Sequence, residues 1–306
     1  MPLVYNVSVN LYDQISNNKR KSFLIMIFFV IVVAILGYIF SLAMDAGYSL
    51  FIVATVFALT SAGFSYFAGD KVALTLSGAK KVTKQDAPRL FRTVENLSIG
   101  AGLVPMPEVY LINDPAINAF ATGRDPKHAS VAVTTGALNK LTDLELEGVV
   151  AHELSHVKNF DIRTMAVAVV LVGVIALVSE WFLRANFFRG RRSNNSEGGS
   201  IVIIFAIVGA ILAPLMAQLL KFALSRQREY LADASGALLT RYPEGLASAL
   251  QKIELDHTPL KSANSATAHM YIANPLGDRR GEKIANLFST HPPIEERIAR
   301  LRGMKS

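Results

Sequence analysis

The sequence predicts a mainly α integral membrane protein with four transmembrane helices and an α+β domain carrying a small β-sheet. Three observations support this. Hydrophobic residues make up 51% of the 306, and charged residues only 18%, which is scarce for a soluble protein. Apolar runs stand at 23–44, 48–69, 165–183 and 201–220, and Glu180 is their only charged residue. Each is about 20 residues long, enough to cross ~30 Å of hydrocarbon. The stretches between and after them carry helix caps, short alternating segments and turn signals instead.

In chain order, residues 1–21 read as a polar N-terminal tail, with alternation at Leu3, Tyr5, Val7 and Val9 that suits a short strand or disorder. Lys19-Arg20-Lys21 precedes the first apolar run, and Lys71, Lys80, Lys81 and Lys84 follow the second. Residues 22–69 therefore form a transmembrane hairpin with both ends on the basic, cytoplasmic side. The first apolar run is too long for a cleaved signal peptide, and no small-x-small site closes it.

Residues 70–163 and 221–306 form the soluble domain, interrupted by a hydrophobic hairpin at 164–220. Asp86 is a candidate cap for a helix reaching Ser98, with Pro88 in its first turn and Gly100 at its end. Residues 108–112, 117–122 and 129–134 read as strands, the last two joined by a turn over 123–127. Thr142-Asp143-Leu144-Glu145 is a capping box that opens a helix ending near Lys158. Leu246, Ala249, Leu250 and Ile253 keep helical spacing, while 262–281 reads as loop. The link 184–200 carries Arg184, Arg189, Arg191 and Arg192 against Glu197, a charge bias that opposes placing this loop outside.

There are no cysteines, which excludes disulfides, thiolate metal sites and cysteine nucleophiles. The net charge is +7, but no stripe of basic and aromatic residues marks a nucleic-acid surface. The excess of Lys and Arg suits contact with an anionic lipid bilayer instead.

The capped helix carries His152-Glu153-Leu154-Ser155-His156. Histidines at i and i+4 share a helix face and can bind one Zn²⁺, and the adjoining Glu is placed to act as general base. Chance supplies such a pattern in roughly 4% of chains this long, so its neighbours must carry the rest. Zinc needs a third protein ligand. The candidates are His128, His257, His269, His291 or a carboxylate, and Glu229 with Asp233 at i+4 is the best carboxylate pair. The alternative is a solvated helix with an ordinary surface ion pair. His291-Pro292-Pro293 fixes its backbone, so the imidazole direction is preset for donation to an oxyanion, or it caps the helix that holds Glu295, Arg297, Ile298 and Leu301. His128, His257 and His269 stand in loop-like contexts that suit solvent exposure.

Together these pieces resemble the HtpX-type membrane zinc metallopeptidases, related to the CAAX prenyl endopeptidases. The matching residues are Asn118-Ala119-Phe120-Ala121-Thr122-Gly123, His152 to His156 with Asp161, Ser225-Arg226 to Glu229 with Asp233, and Thr290-His291-Pro292-Pro293 with Arg297. The resemblance runs from about residue 22 to the end. It implies a zincin-like protease domain with one Zn²⁺ on His152, His156 and Glu229, Glu153 as general base, and His291 on the carbonyl or oxyanion. It implies that Asp233 supports the site from behind a ligand, and that Arg297 pairs with a nearby acid. It implies that Asn118, Ala119, Phe120 and Ala121 take substrate by strand addition; the alternative for that segment is an ordinary core strand. It further implies a multi-pass inner-membrane enzyme, active on the cytoplasmic side, that cleaves misfolded or damaged membrane proteins and unfolded polypeptides under stress and cleaves itself.

Three rivals compete with that reading. A transporter would need polar groups along its path, and the apolar runs offer Glu180 alone as a charge. An inactive scaffold or chaperone with a structural zinc site would have no need of Glu153. An intramembrane peptidase would bury its motif in lipid, yet Glu145, Glu147, Lys158 and Asp161 surround this one.

Overall fold

The structure is a computed structural model that describes residues 11–43, 45–189, 226–256, 258–261, 267, 270–272 and 292–304. The fourth apolar run, most of 262–281, and the histidines at 257, 269 and 291 lie outside the described residues.

Two long helices open the chain, α1 (Leu11–Ala43) and α2 (Ser49–Leu76). They pack as an antiparallel pair, and both are long and apolar enough to cross a membrane. Among the described residues they are the only two that pass that test, so four spans are not established. Helix α1 begins well before the first apolar run: residues 11–21, read above as tail, are its first three turns.

The strands form a mixed sheet. β1 (Lys80–Lys81) pairs antiparallel with β2 (Glu108–Ile112), β2 runs parallel to β4 (His128–Thr134), and β4 pairs antiparallel with β3 (Ala119–Asp125). The order is β1-β2-β4-β3, which leaves β3 at one edge. The β3–β4 connection is the expected hairpin, but the strands run on to Asp125 and His128 and leave a tighter turn. Helix α3 (Pro88–Ala101) crosses between β1 and β2. Asp86 does not cap it; its Oδ2 accepts from the Thr83 backbone and hydroxyl instead. The helix ends at Gly102 rather than Gly100, because Gly102 takes the left-handed conformation at φ 70° that a C-terminal cap requires.

After α4 (Thr135–Lys140) comes α5 (Asp143–Lys158), the helix of the paired histidines. Its capping box forms: Thr142 Oγ1 accepts from Glu145 N, and Glu145 Oε2 accepts from Thr142 N. Phe160, with φ 61°, breaks the chain direction between α5 and α6 (Asp161–Arg189). The first half of α6 is buried, and Val167, Leu171 and Ile175 pack with Ile25, Phe29 and Ala58 of the first two helices. Helices α7 (Arg226–Thr240), α8 (Pro243–Leu255) and α9 (Ile294–Arg302) close the far side of α5. The main core therefore surrounds α5, with Leu146, Val150, Leu154 and Val157 inside it against the sheet, α3 and α8.

Candidate metal centre

Helix geometry brings His152 and His156 together. One turn apart on α5, their rings meet edge to face with centroids 4.8 Å apart, and their Nε2 atoms are 3.2 Å apart. Glu229 approaches from the first turn of α7. Its Oε1 lies 3.6 Å from His156 Nε2, and its Oε2 lies 3.8 Å from His152 Nε2. One ligand atom from each of the three side chains falls within 4.8 Å of the others. All three are buried. The close approach of α7 depends on Gly236, where a Cβ would stand 3.0 Å from the backbone nitrogen of His152.

Each histidine is held from behind. His152 Nδ1 is 3.0 Å from Asp233 Oδ1, and His156 Nδ1 is 3.1 Å from Asp161 Oδ2. Donation to those carboxylates fixes the tautomers and turns both Nε2 lone pairs toward each other and toward Glu229. The carboxylates are themselves anchored. Arg297 makes a two-pronged bond to Asp233, Nε to Oδ2 at 2.9 Å and Nη2 to Oδ1 at 2.7 Å, and donates Nη1 to the carbonyl of Ile272. Asp161 Oδ1 accepts from Arg228 Nη1 at 3.2 Å and from Asn18 Nδ2 at 2.7 Å.

The electrostatics call for a cation. Four buried carboxylates, Glu153, Asp161, Glu229 and Asp233, stand among two buried guanidinium groups, Arg228 and Arg297. Counting both histidines as neutral, the state a bound ion would enforce, this leaves two negative charges, which one divalent ion would balance. Burial pulls His156 toward the neutral form, yet the bond to Asp161 and the nearby Glu229 outweigh it and raise its pKa to about 9. Burial pushes the Glu153 carboxyl up, partly offset by His152 and His156. Burial also acts on Asp233, but Arg297 and His152 override it and hold that carboxyl well below the usual range. Two imidazoles and a carboxylate aimed at one point, in a pocket short of positive charge, fit a Zn²⁺ ion.

Glu153 is 2% exposed and lies beside the backbone of Ala121 on the edge strand β3. The predicted substrate residues Asn118, Ala119, Phe120 and Ala121 are all buried. Phe120 points away from the site and stacks edge to face on Tyr271. The outer edge of β3 is engaged at Ala119, whose carbonyl accepts from Ile272 N at 3.0 Å. His291 lies outside the described residues, although Pro293 sits at the start of α9 as expected. His128 is a surface residue paired with Asp125 in the hairpin turn.

The profile of peptidase family M48 matches residues 84–305. The chain belongs to peptidase family M48. It is a metallopeptidase, a hydrolase of peptide bonds. Relatives described as "Protease HtpX homolog" span nearly its whole length. The protein of Dictyoglomus thermophilum is 48% identical over 293 residues, covering 96% of this chain and 94% of its own. That of Tropheryma whipplei is 49% identical over 298 residues, covering 96% and 98%. The resemblance to HtpX-type peptidases is thereby borne out. Among solved structures, S. mikatae Ste24p aligns with TM-score 0.49 and 18% identity, over 87% of this chain and 62% of that one.

Sequence reasoning singled out Asp161 only as part of a motif, and Asn18 and Arg228 not at all. A local signal for Asn18 existed: with Ser22 it forms a polar i, i+4 pair on the helix that leads into the first apolar run.

Proposed function

We propose that this M48 member is a zinc endopeptidase working at the cytoplasmic face of the inner membrane, with misfolded or damaged membrane proteins as substrates and itself as one of them. The observation that carries the reading is the convergence of His152, His156 and Glu229 beside the buried Glu153. Those three residues would hold Zn²⁺. The bound ion supplies Lewis-acid polarisation of the peptide carbonyl and makes water more acidic.

The other steps belong to the chain. Glu153 takes a proton from the attacking water and returns it to the leaving amine nitrogen. Its burial, which raises its proton affinity, suits both transfers. Asp233 and Asp161 keep the imidazoles of His152 and His156 in the productive tautomer, and Arg297 and Arg228 keep the two acids in place. His291 would donate to the carbonyl oxygen as charge develops on it. Residues 118–121 would accept substrate as an added strand, through main-chain hydrogen bonds that select little by sequence. The Ala119 carbonyl is already taken by the Ile272 N–H, so an added strand would pair along β3 beyond it.

Membrane attachment rests on α1 and α2, and on lysines and arginines at their inner ends. The buried first half of α6 continues directly from the site, so peptide emerging from the bilayer reaches the candidate centre over a short path.

The test is digestion of casein and of a model membrane protein by wild type and Glu153→Gln, with chelator and with zinc restored. Wild type should cleave, lose activity to chelator and regain it with zinc. Glu153→Gln should retain zinc and cleave neither substrate. Near-normal proteolysis by that variant would remove Glu153 as the base.

A further inference from the structure

We infer that Asn18, on the first membrane helix, is a positioning residue for the metal centre, acting on His156 through Asp161. This rests on the reading of His156 as a zinc ligand. Asn18 is 3% exposed and lies in the part of α1 that the sequence presents as tail. An amide nitrogen carries two hydrogens, and both are used. One goes to Asp161 Oδ1 at 2.7 Å, and the other goes to the carbonyl of Asn159 at 2.8 Å.

Both acceptors matter to the site. Asn159 caps the C-terminus of α5, where helix carbonyls lack intrahelical partners. Asp161 is the first residue of α6, and its other oxygen holds His156 Nδ1. A single side chain therefore spans the break between the two helices. The break is sharp: Phe160 adopts φ 61°, an unfavourable conformation for a residue with a side chain. Lys19 Nζ sits 4.4 Å from the centre of the Phe160 ring, on the same side. Asp161 then has one oxygen on Asn18 and Arg228 and the other on His156, so its rotation is blocked from both ends. Without Asn18, one buried acceptor loses its partner and the carboxylate turns toward Arg228, away from His156.

Ser22 provides an internal comparison. It is equally buried on the same face of α1 and bonds Thr164 Oγ1 of α6 at 2.8 Å, but it does not touch Asp161. Losing Ser22 loosens the contact between α1 and α6 and leaves the carboxylate alone.

The experiment uses full-length protein in detergent. Zinc affinity is measured by competition with a chromophoric chelator, melting of the zinc-free protein is followed in parallel, and peptide kinetics are recorded. Asn18→Ala should weaken zinc binding about tenfold or more, the range for partners that orient a ligand histidine, and should lower kcat with KM within about twofold of wild type. Asn18→Asp should weaken zinc binding further, by setting a second carboxylate against Asp161. Ser22→Ala should shift zinc affinity less than about twofold at a similar or larger drop in melting temperature. The inference is overturned if Asn18→Ala binds zinc as wild type does. It is overturned equally if Ser22→Ala weakens zinc binding as much, or if Asn18→Ala fails to fold while Ser22→Ala folds, since each marks a helix-docking role only. Failure of wild type to bind zinc would instead refute the metal reading itself.

Discussion

Replacing Arg297 with alanine should do more damage than any other single change behind the metal centre. Arg297 is fully buried, and it spends three donors: two on Asp233 and one on the carbonyl of Ile272. Removing it leaves the Asp233 carboxylate buried without its cation, which costs about 3–5 kcal/mol. That is a large share of the ~5–15 kcal/mol that holds a typical domain folded. Arg297→Lys keeps the charge, but one ammonium cannot span both carboxylate oxygens and the carbonyl, so about 1–3 kcal/mol is lost. Because Asp233 also orients His152, zinc affinity should fall by roughly 10–100-fold in the alanine variant. Urea unfolding of zinc-free protein in detergent, with chelator competition for zinc, reads both effects. The reasoning is refuted if Arg297→Ala unfolds within about 1 kcal/mol of wild type and binds zinc as tightly.

Two further outcomes follow from particular contacts. Gly236→Ala should cost about 1–3 kcal/mol and weaken zinc binding, because the new Cβ meets the backbone of His152 and pushes α7 off α5; Gly173→Ala, inside α6 and with nothing among the described residues near the added atom, should be no less stable than wild type when melting is followed. Glu145 takes part in the α5 cap and also accepts from Ser248 and Lys252 of α8. Burial raises its carboxyl, but those donors outweigh it and bring the pKa down to about 2 from 4.5. A depressed folded pKa means stability that is complete above about pH 4.5 and is lost as pH falls toward 2. Lys252 is partly exposed, so its share is discounted to about 1 kcal/mol or less. Lys252→Met should therefore be less stable than wild type at pH 7, with the gap closing across that acid window in urea titrations.

Much of the fold was legible because its signals are local. The cap at Thr142 and Glu145, the spacing of His152 and His156, and the apolar lengths of α1 and α2 each depend on residues within a few turns. Glu229 and Asp233 were readable as a pair for the same reason, since i and i+4 share a face. The resemblance then implied Glu229 as the zinc ligand and Asp233 as the support behind a histidine. The supports behind the ligands were harder to read, because they close over long separations. Asn18 meets Asp161 across 143 positions, and Arg297 meets Asp233 across 64. The Asn18–Ser22 pair marks a polar face on that helix, but nothing near it in sequence says that the face reaches the metal centre. Asp86 misled for the opposite reason: a good capping residue was used by the preceding turn at Thr83. The occupied edge at Ala119 depends on Ile272, 153 positions later, which no pattern around Asn118 could show.

The central claim is that His152, His156 and Glu229 together hold one zinc ion, and elemental analysis of purified protein tests it most directly. Wild type and Glu153→Gln should each carry about one zinc per chain, and Glu229→Ala, folded by its melting curve, should carry almost none. Full zinc occupancy in folded Glu229→Ala would contradict the claim and take Glu229 out of the ligand set.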